Sequence, residues 1–126
     1  VSEASFQDAV VLALQTRYKA ALYLERRNVG AVVTRDRAGN QTGMFHASKS
    51  VGAADYFGIL GGLHFEVEFK AAKGKQREGQ VRFQQRMEGL AVPYFLLAPG
   101  KGEALGLAVD RAVALFAEWA QTTGAA

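Results

Sequence analysis

The chain predicts an α/β fold in which a mixed central β-sheet is flanked by helices, and three observations carry that reading. Apolar residues recur at helical spacing near both ends, as Phe6, Val10, Leu14 and Tyr18 and again as Val109, Val113, Phe116 and Ala120. In the middle, Gly61-Gly62 separates two apolar runs as a hairpin turn would. A further apolar run, residues 91–98, follows a helical stretch, so the order reads helix, three or four strands, helix, strand, helix.

The first helix starts at Ser2 or Ser5, either of which can cap it, with Glu3 and Asp8 placed for the positive end of its dipole. It is expected to run to Asn28-Val29-Gly30, where Gly30 supplies a left-handed cap. Val11, Leu12, Leu22 and Leu24 would make it apolar over much of its circumference, as in a helix sandwiched in a core or shared with a second subunit. Residues 31–37 are β-branched in part, Ala38-Gly39-Asn40 is a turn, and the return through Met44 and His46 is a weaker strand. Residues 47–54 form a loop of small residues, and residues 56–60 a short apolar strand. Residues 63–70 then alternate, with Glu66, Glu68 and Lys70 on one face and Phe65, Val67 and Phe69 on the other. Lys73-Gly74-Lys75 is a loop, residues 76–90 a helix and residues 91–98 a buried strand with Pro93 at its start. A Gly-rich connection, residues 99–106, leads to a last helix over 108–120, and the final six residues are expected to fray.

At 126 residues the sequence fits one domain, 1–126, large enough to bury a core without staples. With no cysteine, disulfides and thiolate zinc sites are excluded, and two histidines, His46 and His64, make a zinc hydrolase a poor fit. No apolar run approaches the roughly 20 residues that cross a bilayer. The chain opens Val-Ser-Glu, with acids where a basic leader would stand, so a signal peptide is not expected and the compartment is taken as cytoplasmic. A valine in first position leaves room for residues upstream. The net charge of +3 is unevenly spread. Lys70, Lys73, Lys75, Arg77, Arg82 and Arg86 fall within 17 residues, and Arg26, Arg27, Arg35, Arg37 and Lys49 form a second group. Such density suits a polyanionic partner, although a charge run alone is more often a solvated face.

The candidate chemistry lies in residues 50–80. Asp55 follows a Gly-Ala-Ala stretch and precedes the first strand of the hairpin; Glu68 comes 13 positions later, with Lys70 two beyond it. Two carboxylates can hold a divalent cation, and a neighbouring ammonium can handle a nucleophilic water or phosphate charge, which is what a Mg²⁺-dependent phosphodiesterase needs. The plainer account is a solvent-facing Glu-Lys ladder on an exposed sheet surface. No Gly-x4-Gly-Lys-Ser/Thr occurs, which disfavours nucleotide hydrolysis.

These residues resemble the VRR-NUC branch of the PD-(D/E)XK nuclease superfamily. The matched elements are Glu3 on the first helix, Asn28-Val29-Gly30, Gly52-Ala53-Ala54-Asp55 for a Gly-x-Pro-Asp turn, Glu68-Phe69-Lys70 for the Glu-x-Lys strand, and the spacing of Lys70, Gly74, Gln80 and Phe83. The resemblance spans about residues 3–97 and implies a restriction-endonuclease-like core. It also implies that Asp55 and Glu68, helped by the Phe69 carbonyl, bind Mg²⁺ or Mn²⁺. Lys70 would orient or deprotonate the attacking water, Gln80 would position that water or the lysine, and Glu3 would complete the metal shell through water. Lys73, Lys75 and Arg77 would contact the DNA backbone, supplying affinity rather than sequence preference.

Two departures stand out. Ala54 replaces the usual proline, and Glu66 adds a third acid; Glu68 is preferred as ligand because Glu66 lies four positions from Lys70. The expected activity is a metal-dependent DNA endonuclease acting on branched or double-stranded DNA, resembling Holliday-junction resolvases and forming a homodimer, with no membrane partner. The rivals are a monomeric nickase or flap nuclease and a catalytically silent DNA-binding or assembly module, to which Ala54 is a faint pointer. Gln80 as an exposed helix residue, Glu3 as simple dipole compensation, and His46 and His64 as strand-surface residues outside the site are the quieter readings.

Overall fold

The computed structural model describes residues 1–27, 31–46 and 52–126. In chain order the elements are α1 (Glu3–Tyr18), a 3-10 turn (Lys19–Ala21), β1 (Leu22–Arg26), β2 (Ala31–Arg35), β3 (Gln41–His46), β4 (Tyr56–Leu60), β5 (Leu63–Phe69), α2 (Glu78–Gly89), β6 (Tyr94–Leu97) and α3 (Leu105–Thr123). Four strands form the central sheet in the order β1-β4-β5-β6, and β2 with β3 forms a separate ribbon. The sheet is mixed, as expected: the β1–β4 and β4–β5 pairs are antiparallel, whereas β6 lies parallel to β5 after the α2 connection. Gly61 and Gly62, both at positive φ (58° and 81°), make the tight turn joining β4 to β5.

One face of the sheet carries the apolar core. Phe65, Val67 and Phe69 of β5 meet Phe6, Val10 and Leu14 of α1 and Phe116 of α3, all buried. The i, i+4 spacing of the α1 residues puts them on a single stripe, and Ala108, Ala112 and Ala120 let α3 approach closely. Ring pairs such as Phe65–Phe116, with centroids 4.8 Å apart, fill the layer between. Alternation along β5 sends Glu66 and Glu68 to the opposite face, where α2 lies.

Three expectations need correction. α1 ends at Tyr18, and the residues after it form β1, which pairs with β4 from Leu22↔Leu60 to Arg26↔Tyr56. Leu22-Tyr23-Leu24-Glu25 alternates at period two, and β4 needs a partner on its free edge; the sheet therefore takes the segment that a longer helix would have used. The apolar circumference assigned to α1 thus belongs partly to a strand. α3 is longer at both ends than expected, and the C-terminus is not frayed: Ala125 is buried and its N–H donates to Ala120 O at 2.9 Å. The proposed cap Asn28-Val29-Gly30 and residues 47–51 of the loop lie outside the described residues. No helix among the described residues is long and apolar enough to cross a membrane.

Candidate functional site

The buried acids of β5 define the site. Glu66 is 0% exposed and Glu68 1% exposed, which removes the solvent-facing ladder as an account of them. A buried carboxylate must be paired, protonated or bound to a cation, and the two glutamates answer that demand differently.

Glu66 is paired. Arg27 Nη1 lies 2.6 Å from Glu66 Oε1, Nη2 lies 3.3 Å from Oε2, and His64 Nε2 is 2.5 Å from Oε2. The Arg27 guanidinium is sandwiched near the rings of Phe57 (4.9 Å) and Phe83 (5.5 Å), so β1, β4, β5 and α2 converge on it. It also donates to Ala54 O at 3.1 Å, while its backbone N–H donates to Asp55 O at 2.7 Å. Glu66 is therefore spent on holding the turn that carries Asp55.

Glu68 is not paired in that way. Gln80 Nε2 donates to its Oε1 at 3.2 Å, but Oε2 is buried and has no hydrogen-bond partner among the described residues. Burial, followed by the charge and contact of Asp55, pushes the Glu68 carboxyl up to about 8, with Lys70 acting in the opposite direction and Glu3 adding slightly to the rise. The Glu68 carboxyl, with its orphaned buried oxygen beside Asp55, offers oxygen donors of the kind a hard divalent cation takes. That chemistry fits Mg²⁺ or Mn²⁺.

Each remaining residue of the expected set has a definite place. Asp55 Oδ2 accepts the Phe69 N–H at 2.8 Å, and because the Phe69 ring is in the core only its backbone faces the site. The turn before Asp55 is fixed at Gly52 (φ +82°), where a Cβ would stand 2.3 Å from the Gly79 carbonyl carbon; only glycine allows this approach to the start of α2. Lys70 Nζ donates to Gln80 Oε1 at 2.8 Å, and the same oxygen accepts the Arg77 N–H at 2.8 Å. Gln80 therefore caps α2 and links the lysine to Glu68, so it is not a plain exposed helix residue. Glu3 sits exposed on the first turn of α1 and is felt by Glu68 electrostatically, without a hydrogen bond to it among the described residues. Among the described residues no group of three His, Cys, Asp or Glu side chains is placed to hold a metal ion; Asp55 and Glu68 are the two carboxyls that could offer oxygens to one. Lys73, Lys75 and Arg77 are exposed on the segment joining β5 to α2.

Sequence reasoning missed two residues. Tyr94 lies on the Glu66 side of β6 through the register Glu66↔Tyr94, and its hydroxyl meets Gln76 Nε2 at 3.4 Å. Burial, then the Glu68 charge, raises its pKa well above the ordinary phenol value. Its only sequence signal was a phenol inside an apolar run. Arg27 had none beyond membership of a basic group. His64, half exposed on its strand and left out of the site, is bonded to Glu66.

Comparison of the chain with protein-family models, with curated proteins and with solved structures finds no match.

Proposed function

We propose that the chain is a metal-dependent DNA endonuclease, hydrolysing phosphodiester bonds with a restriction-endonuclease-like core of the VRR-NUC kind. The observation that carries this reading is the unpartnered, buried Oε2 of Glu68 beside Asp55, with Gln80 hydrogen-bonded both to Glu68 and to the Lys70 ammonium. Asp55, Glu68 and the Phe69 carbonyl would hold Mg²⁺ or Mn²⁺, which when bound neutralises charge and acidifies a water. Lys70 offers N–H donors toward the incoming water or a phosphate oxygen, and Gln80 limits where that ammonium can point. Arg27 fixes the Asp55 turn from two carbonyls, supplying the stiffness that the missing proline at Ala54 would have given. The silent-module reading loses its main support by that route.

Exposed Lys73, Lys75 and Arg77 leave the site on a segment anchored at Lys70 and Gln80, and are assigned to the DNA backbone. Homodimerisation is part of the proposal and is supported by apolar side chains left exposed on α1 and α3, Leu12 (65%) and Leu107 (64%) among them. The test incubates fluorescent four-way junction, flap and linear duplex DNA with Mg²⁺ or EDTA. Cleavage is expected only with Mg²⁺ and is expected to vanish in Asp55→Ala and Lys70→Ala. Parent-like cleavage by either variant would show that the site is elsewhere, and gel filtration of the parent as a monomer would remove the dimer.

A further inference from the structure

The second basic group is divided by the fold. Arg27 is consumed by Glu66, whereas Arg35 and Arg37 stand at the tip of the β2–β3 ribbon, where residues 34–42 are all exposed. Among the described residues the ribbon joins no strand of the central sheet. A lone two-stranded ribbon is marginal in water and gains from a surface to lie on. Its tip is nevertheless well built. Asp36 Oδ1 accepts the Asn40 N–H at 2.9 Å, the Asp36 N–H donates to Asn40 O at 3.0 Å, and Arg35 Nη1 reaches Gly39 O at 3.1 Å. The one acid of the tip is thus occupied within the turn, and neither arginine has an ion-pair partner among the described residues.

Chain connectivity sets the reach. Ala31 follows Arg27 by four residues, so the base of the ribbon starts within roughly 14 Å of Arg27. The strand to Arg35 adds about 13 Å. Arg27 itself touches the Asp55 backbone. Arg35, where the tip begins, therefore lies within about one turn of duplex, roughly 34 Å, of the Asp55 backbone.

We propose that the β2–β3 ribbon is a nucleic-acid-gripping arm, with Arg35 and Arg37 engaging duplex phosphates about one helical turn from the Asp55–Glu68 pair. This rests on the nuclease reading and adds a second anchor to the substrate, on a different element from the Lys73–Arg77 segment.

The test reads binding apart from cleavage. Anisotropy of a labelled duplex of about 30 base pairs is titrated in EDTA over a range of salt with the parent, Arg35→Ala/Arg37→Ala, Arg37→Ala alone and Arg17→Ala/Lys101→Ala, which removes equal charge elsewhere. Loss of two phosphate contacts is expected to lower the log–log salt slope by about 2 and weaken binding roughly 30-fold at 0.15 M salt. Arg37→Ala alone, which breaks no bond within the turn, is expected to lose about fivefold. If the arm variant and the charge control lose affinity equally, the arm is not a contact. If the double variant keeps its affinity but changes its elution volume, the ribbon binds a second copy of the chain and the proposal is overturned. A parent that binds no duplex removes the nuclease reading itself, which separates the two failures.

Discussion

Replacing Glu68 by glutamine isolates the group on which the site depends. The carboxyl titrates at 4.5 when unperturbed and at about 8 in the folded chain. Between those values the unfolded chain has released the proton that the folded chain still holds, so stability falls as pH rises through that window. Each pH unit inside it costs up to about 1.4 kcal/mol, and at pH 7 the accumulated loss is about 3 kcal/mol. Glutamine keeps the shape and an acceptor for Gln80, but does not ionise. In EDTA, Glu68→Gln is therefore expected to match the parent near pH 4.5 and to exceed it by up to about 3 kcal/mol at pH 7, a melting difference of roughly 10 °C. Addition of Mn²⁺ at one hundred times its dissociation constant is expected to return about 2.7 kcal/mol to the parent and nothing to the variant, which should also be inactive. The assay is a set of thermal melts from pH 4.5 to 8, with and without Mn²⁺. Superimposable pH profiles for parent and variant would mean that Glu68 ionises normally in the folded chain, and the argument for a shared cation would collapse with it.

Three further outcomes follow from the same geometry. Arg27→Met leaves Glu66 buried without its cation and is expected to cost about 3–5 kcal/mol in denaturant unfolding, most of it recovered in Arg27→Met/Glu66→Met; a single variant as stable as the parent would mean that His64 alone satisfies the acid. Gly52→Ala forces a left-handed φ, worth about 1–2 kcal/mol, onto a clash with Gly79, and should lower the melting temperature and weaken Mn²⁺ stabilisation together; an unchanged melt would show that the turn can move away from α2. Lys70→Ala should lower the cleavage rate by about 10²–10⁴-fold with duplex binding in EDTA retained, and loss of binding instead would assign the lysine to substrate affinity.

Much of the site was readable because it is local. Glu68 and Lys70 share a face by strand alternation, Asp55 opens the paired strand of the same hairpin, and Gln80 falls on the first turn of the next helix, so short-range patterns brought all four to one end of the sheet. What escaped depends on long-range pairing. β1 looked helical because apolar residues at 18, 21, 22 and 24 satisfy either period, and only the free edge of β4 decides between them. Tyr94 enters through a parallel register, which no single strand encodes. The C-terminus is held by Ala125 against Gly61, a contact between distant residues.

Glu66 and Glu68 make the limit plain. They are the same residue, two positions apart, on the same face of the same strand and equally buried. Beyond the His64 contact within the strand, their difference is supplied from outside it, because Arg27, 39 positions away, reaches the first and not the second. Pairing makes Glu66 a fixed structural anchor, and loss of Arg27 would leave its buried carboxylate without the guanidinium. The lack of such a partner leaves Glu68 with an elevated pKa and an oxygen that nothing else in the described fold satisfies. An exchangeable cation needs a ligand of that second kind, since a carboxylate already neutralised by guanidinium has little left to offer it. The preference for Glu68 over Glu66 as the proposed metal ligand rests on where Arg27 sits, and a variant that moved the arginine's reach by one strand pair would move the proposed site with it.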